Sequence, residues 1–148
     1  MAADGNGRMR IFRHHEDLPA EFRGAVVAIG NFDGLHLGHR QLLKRATELA
    51  RADGSKRGVL TFEPHPRRHF QPEAPPFRLT PFRVKAAEID RAGVDFLVAL
   101  HFDAAFAALE AGEFIDAVLI KGLGLGHIVV GYAFVFGRDG GLSKLDLI

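Results

Sequence analysis

The sequence predicts an α/β domain built on a parallel sheet. Short apolar runs alternate with longer amphipathic stretches along the chain, the order of βαβ units. Each run has the length and apolar character of a strand covered on both faces. A glycine-rich turn, Gly30 to His39, stands between one such run and an amphipathic segment, the order of strand, turn and helix start.

Residues 1–23 read as a leader. Their first part, Met1 to Arg13, carries Gly, Asn and Arg and no apolar stretch of the kind a secretory signal needs. The domain is expected over residues 24–138. Ala25–Ile29 reads as a buried strand. Leu37 to about Ala52 reads as its crossover helix, with Leu42, Leu43, Ala46, Leu49 and Ala50 on one face. Asp53-Gly54 ends that helix, since glycine suits the position past a helix C-terminus. Gly58–Phe62 is the next strand. From Glu63 to about Thr80, prolines at 64, 66, 72, 75 and 76 forbid regular structure.

Thr80-Pro81 is a helix start, a hydroxyl N-cap followed by proline at the first helical position, and the helix runs to about Ala92. Val94–Leu100 is a third strand. Asp103–Leu109 is a short helix and Glu113–Ile120 the core of another. Lys121-Gly122-Leu123-Gly124-Leu125-Gly126 has the glycine spacing of half a dinucleotide fingerprint, but it precedes a strand instead of opening a helix. It reads as a helix-to-strand connection. His127–Gly131 is a fourth strand. Residues 139–148 stay unassigned.

At 148 residues the chain suits one domain with a sizeable core, and 47% hydrophobic with 25% charged residues is an ordinary globular balance. A net charge of +1 supplies no field to draw nucleic acid or a membrane surface. The absence of cysteine excludes disulfides, a thiolate nucleophile and cysteine metal sites, and is compatible with a cytoplasmic location. No apolar run approaches the roughly 20 residues of a membrane span. Oligomeric state is left open.

The turn carries the chemistry. His36 and His39 are three residues apart, so in a first helical turn they lie on one face. There they join the backbone N–H groups and positive dipole end of a helix N-terminus, where anions bind. Gly38 removes a side chain where a phosphate would approach the backbone. The arrangement suits binding a polyphosphate and stabilising it as it reacts. A zinc pair would need further ligands, and no second ligand spacing is evident. A structural turn with solvent-exposed histidines is the alternative.

Gly30-x-Phe32-Asp33-Gly34-x-His36-x-Gly38-His39 resembles the histidine-glycine-histidine signature of nucleotidylyltransferases. Thr61-Phe62-Glu63-Pro64-His65-Pro66 and Val130-Gly131-Tyr132-x-Phe134-x-Phe136-Gly137 extend the resemblance to one family. They are similar to the N-terminal adenylyltransferase module of the bacterial bifunctional riboflavin kinase/FMN adenylyltransferase, or FAD synthetase. The blocks stand in the family's order from about Ala25 to Gly137. The resemblance implies a Rossmann-like parallel sheet with the Ala25–Ile29 strand central. It implies transfer of AMP from ATP to FMN, giving FAD and pyrophosphate, with Mg²⁺ accompanying ATP.

It also implies roles. His36 and His39 would be catalytic, donating to phosphate oxygens. Gly30, Asn31, Phe32, Asp33, Gly34 and Gly38 would form the nucleotide-binding turn. Asn31 and Asp33 also suit fixing the turn through side-chain-to-backbone bonds, and Phe32 suits core packing. Phe62, Pro64, His65, Pro66 and Phe136 would bind flavin, Phe62 and the proline rings forming a flat apolar wall. The alternative for Phe62 is a core position beneath a stiff loop. Arg67 and Arg68 read as solvated.

The chain departs from the family pattern in three places. Ala133 stands where the family carries Asp or Asn. The family's Ser/Thr-rich, Arg-ending phosphate motif would lie beyond Ile148. So would the riboflavin kinase domain. The resemblance therefore implies a truncated module with a sheet incomplete at its C-terminus, and keeps open a catalytically impaired nucleotide- or flavin-binding fragment. A nucleotidylyltransferase with another acceptor is opposed by the Thr61–Pro66 block. A hydride-transferring dehydrogenase is opposed by the lack of a G-x-G-x-x-G turn opening a helix.

Overall fold

A computed structural model describes residues 9–16, 18–30, 32, 37–63, 81–101 and 103–130. Five parallel strands form one sheet in the order β1-β4-β3-β2-β5. The strands are β1 (Arg10–Phe12), β2 (Val26–Ile29), β3 (Arg57–Glu63), β4 (Phe96–His101) and β5 (His127–Val130). The helices are α1 (Leu37–Asp53), α2 (Phe82–Arg91), α3 (Ala104–Ala107) and α4 (Ala111–Glu113), the last running directly into a π-helix, Phe114–Gly122. A 3₁₀ turn, Ala20–Phe22, precedes β2. The expected parallel α/β architecture is present.

Strand alternation divides the core into two layers. One face carries Val27, Ile29, Leu60, Phe62, Phe96, Val98 and Leu100, covered by Leu18, Phe22 and the π-helix residues Phe114, Val118 and Leu119. The other carries Val26, Ala28, Val59, Leu97 and Val129, covered by Leu43, Ala46 and Ala50 of α1 and Ala86 and Ile89 of α2. These faces follow from crossover handedness. The steps β2→β3 and β3→β4 move one way along the sheet, and their helices cover one face. The steps β1→β2 and β4→β5 move the other way, so the same right-handed connection must cover the opposite face.

The predicted α1 stripe is the buried one: Leu43, Ala46 and Ala50 are in the core, with Leu42 and Leu49 packed at its edge. Strand ends move by one or two residues. The strand expected from Val94 begins at Phe96, and the one expected over Gly58–Phe62 extends to Arg57 and Glu63, both paired in the sheet. The strand expected to be central, Ala25–Ile29, is observed as Val26–Ile29 and lies between β3 and β5, and β3 holds the middle of the sheet.

The sheet also begins earlier than the sequence suggests. Arg10–Phe12, within the span read as a leader, pairs in parallel with Phe96–Val98. Met9, Leu18 and Phe22 join the core. Phe12 and Phe22 meet at 5.5 Å between ring centroids, and Phe22 lies 5.0 Å from Phe96. Gly58 makes room for this cluster, because a Cβ there would sit 2.5 Å from the Phe96 ring.

Pro81 stands one residue before α2 with φ −57 and ψ 145, so it is the boundary residue and not the first helical one. Its carbonyl accepts from the Lys85 N–H at 3.0 Å, the first helical hydrogen bond. Thr80 lies outside the described residues. Asp103 caps α3, its carboxylate accepting from the Phe106 N–H at 3.0 Å. The helix expected over Glu113–Ile120 is a π-helix for most of its length, and it closes with the Leu123 N–H on the Val118 carbonyl at 2.8 Å. The glycines after it serve chain packing, as a connection should. Gly124 takes φ +63, and a Cβ on Gly126 would lie 2.6 Å from the Gly24 carbonyl oxygen.

Candidate functional site

The strand order reverses at β2, with β3 on one side and β5 on the other. In open α/β sheets the crevice beyond the carboxyl ends of strands at such a point is where ligands bind. β2 ends there at Ile29 and β5 at Val130, in register. The chain leaves β2 through the glycine-rich turn and enters α1 at Leu37. α1 packs over both strands through Val26, Ala28 and Val129. Its N-terminus, the positive dipole end of the helix, is thereby delivered to the crevice.

His39 is the third residue of α1 and partly buried. Its ring lies on that of Phe32, centroids 4.8 Å apart and planes tilted by 40°. Gly38 lies in the same first helical turn. Gly30 continues the β2–β3 ladder by one bond, its N–H donating to the Leu60 carbonyl at 3.1 Å. The Phe32 ring is packed over Gly30, where a Cβ would meet its Cε2 at 3.0 Å. Phe32 itself is 1% exposed. Its ring thus takes the core-packing place that the sequence also allowed, against Gly30 and His39, while its backbone stands in the expected nucleotide-binding turn. Asn31, Asp33, Gly34 and His36 lie outside the described residues, so the structure brings together Gly30, Phe32, Gly38 and His39 of the predicted turn.

The second motif divides between the two faces of the sheet. Phe62 points into the face opposite α1, is fully buried, and lies 6.1 Å from Phe106 and 6.2 Å from Phe114 between ring centroids. Its side chain takes the core position that the sequence offered as the alternative to a flavin wall; the strand pleat turns it away from the α1 face, and two later segments cover it. Pro64, His65, Pro66 and Phe136 lie outside the described residues.

Its neighbours Thr61 and Glu63 face the α1–α2 side, where they meet a residue the sequence reading missed. Lys85 of α2 is 1% exposed, and its ammonium contacts the Glu63 carboxylate at 2.7 Å and the Thr61 hydroxyl at 3.4 Å. A lysine in an amphipathic helix ordinarily reaches solvent. This one is turned inward because the end of β3 supplies a carboxylate to compensate its charge. The only signal for it in the sequence was its place on the apolar face with Ala86 and Ile89. Across the base of α2, the Arg13 guanidinium lies 4.2 Å from the Phe82 ring centroid.

Among the described residues no three His, Cys, Asp or Glu side chains converge to hold a metal ion, and no helix is long and apolar enough to cross a membrane.

Comparison with known proteins matches the chain to a sequence family. A family model described as FAD synthetase matches residues 18–146. The bifunctional riboflavin kinase/FMN adenylyltransferase of Pseudomonas fluorescens is 44% identical over 131 residues, 88% of this chain and 42% of that protein. The protein of the same description from Escherichia coli K12 is 40% identical over 141 residues, covering 93% and 45%. The Bacillus subtilis one is 34% identical over 133 residues, covering 89% and 42%. The chain thus spans less than half the length of these relatives. A crystal structure described as a macrolide-efflux protein from Streptococcus pneumoniae superposes with a TM-score of 0.70 at 31% identity, over 89% of this chain and 43% of that one.

Proposed function

Because the chain belongs to the FAD synthetase family, we propose that it is an adenylyltransferase module that transfers AMP from ATP to FMN. The observation that carries this reading is the placement of His39 in the first turn of α1, at the carboxyl end of β2 where the strand order reverses.

A phosphate oxygen of FMN attacks the α-phosphorus of ATP. The new P–O bond forms as the bond from the α-phosphorus to the bridging oxygen breaks, and pyrophosphate leaves. The FMN phosphate is already an anionic nucleophile at neutral pH, so no side chain must remove a proton. The protein's task is to hold attacker and leaving group in line and to stabilise charge on the phosphates. In this reading the N–H groups of His36 and His39 and the N-terminus of α1 donate to phosphate oxygens. Gly30, Gly34 and Gly38 let the backbone come close, and Asn31 and Asp33 hold the turn. Mg²⁺ enters as part of the substrate, MgATP. Pro64, His65, Pro66 and Phe136 belong to the acceptor side. The reading places the reaction in the cytoplasm, in keeping with a chain that has no cysteine.

The test is direct. The purified chain is incubated with MgATP and FMN, and flavins are resolved by chromatography. FAD formation that His39→Ala abolishes supports the reading. FAD formation indifferent to His39→Ala, or none with either protein, overturns it for this chain.

A further inference from the structure

We propose that Phe32 is a positioning residue for His39: a buried ring, held by a left-handed backbone, that fixes the plane of the imidazole at the end of β2. The inference rests on the reading of His39 as a phosphate donor.

Three observations converge on Phe32. It adopts φ +53, the left-handed region, and among the described residues no other non-glycine does. A bulky aromatic residue there is an outlier, because its Cβ crowds the backbone. Such strain persists where the surroundings over-determine the conformation, and it clusters at functional sites. Here the surroundings do so through burial and two close contacts. The ring is 1% exposed among Val26, Ala28, Leu43, Ala46 and Val59. The ring meets the bare backbone of Gly30, which leaves only 3.0 Å for a Cβ before Cε2 is reached. It also meets the imidazole of His39, 4.8 Å away between centroids and tilted by 40°.

Phe32 therefore links Gly30 at the strand end to His39 in the first turn of the helix. The contact answers a mechanical need. The terminal torsion of histidine is broad, so the rotamer alone does not aim its N–H bonds. A phosphate donor must be held within about 10–20° of its productive direction. A ring packed on one face of the imidazole restricts that rotation without touching substrate, and it keeps water from the same face. Ordinary core packing would be served as well by leucine and would need no left-handed backbone.

The experiment separates positioning from packing and from the role of His39. The whole chain is labelled at histidine, and the His39 ring resonances are assigned by their loss in His39→Gln. Spectra are compared for wild type, Phe32→Tyr, Phe32→Leu, Gly30→Ala and Leu43→Ala. Leu43→Ala weakens the same core layer and serves as the packing control. The expected result is that Phe32→Leu and Gly30→Ala move the His39 ring resonances, whereas Phe32→Tyr and Leu43→Ala leave them in place. Turnover with MgATP and FMN should fall on the order of 10²-fold in Phe32→Leu, the usual cost of about 1 Å of misplacement. Phe32→Tyr should restore most of it, and Leu43→Ala should lower thermal stability with little change in kcat. His39 resonances unmoved in a folded Phe32→Leu protein overturn the inference whatever the turnover. Equal kcat losses in Phe32→Leu and Leu43→Ala overturn it too, reducing Phe32 to core. Turnover unaffected by His39→Ala is the distinct failure, that of the role given to His39.

Discussion

Replacing Phe62 by alanine should cost stability and leave ligand binding by the folded protein nearly intact. The side chain is fully buried, with Phe106 and Phe114 rings 6.1 and 6.2 Å away. Truncation opens a cavity between a paired strand and the π-helix, and neither can collapse far into it. Phenylalanine-to-alanine changes in cores cost about 3–5 kcal/mol, and the loss of two tilted or edge-on aromatic contacts favours the upper part of that range. A domain has on the order of 5–15 kcal/mol in total, so a large share of the stability goes with this one ring. At this chain length the midpoint of thermal unfolding should fall on the order of 10 °C. Urea titration followed by circular dichroism should show a lower midpoint at unchanged slope. FMN titration followed by flavin fluorescence, in the cold where the variant remains folded, should give nearly the wild-type affinity. A Phe62→Ala protein of wild-type stability that has lost FMN binding would refute the burial argument and return Phe62 to the ligand surface.

His39→Ala should lower adenylyl transfer by ~10²–10³, the usual cost of one transition-state donor, with the unfolding midpoint little changed; a rate near wild type in the flavin assay removes the histidine from the mechanism. Gly58→Ala places a methyl group 2.5 Å from the Phe96 ring and should destabilise by about 1–3 kcal/mol through overpacking, read by urea titration; an unchanged midpoint contradicts the packing of that cluster. Lys85→Met leaves the partly exposed Glu63 carboxylate without the ammonium now 2.7 Å away and should cost about 1–3 kcal/mol, while the double change Lys85→Met with Glu63→Gln should recover much of it. Equal losses in the single and double variants would show that the pair is not coupled.

The missed edge strand shows where reading the sequence stops. Arg10–Phe12 is too short for any period to be seen, and Arg, His and Glu surround it. What makes it a strand is its partner, Phe96–Val98, far along the chain. Lys85 is similar. Its neighbours place it on the inner face of α2, but only the end of β3 supplies the carboxylate that makes burial tolerable. The π-helix was legible as a helix, from Glu113 onward, and its wider winding was not.

The sequence by itself determined the alternation of strands and helices, the buried stripe of α1 and the family, and of the connection read over Lys121–Gly126 it had the part after Gly122, because these reside in local periodicity, turn chemistry and short motifs. It also placed the histidine turn between a strand and a helix, which in a parallel sheet puts it at the strands' carboxyl ends. The tertiary structure alone decided which face each strand residue serves. Alternation says only that Phe62 and Thr61 point opposite ways. Right-handed crossovers decide that the Phe62 side is covered by the π-helix and the Thr61 side by α1 and α2. The same is true of Phe32. Its motif position was readable, but its left-handed backbone and its ring contact with His39 exist only because β2 and α1 are packed together, and no local pattern encodes that contact.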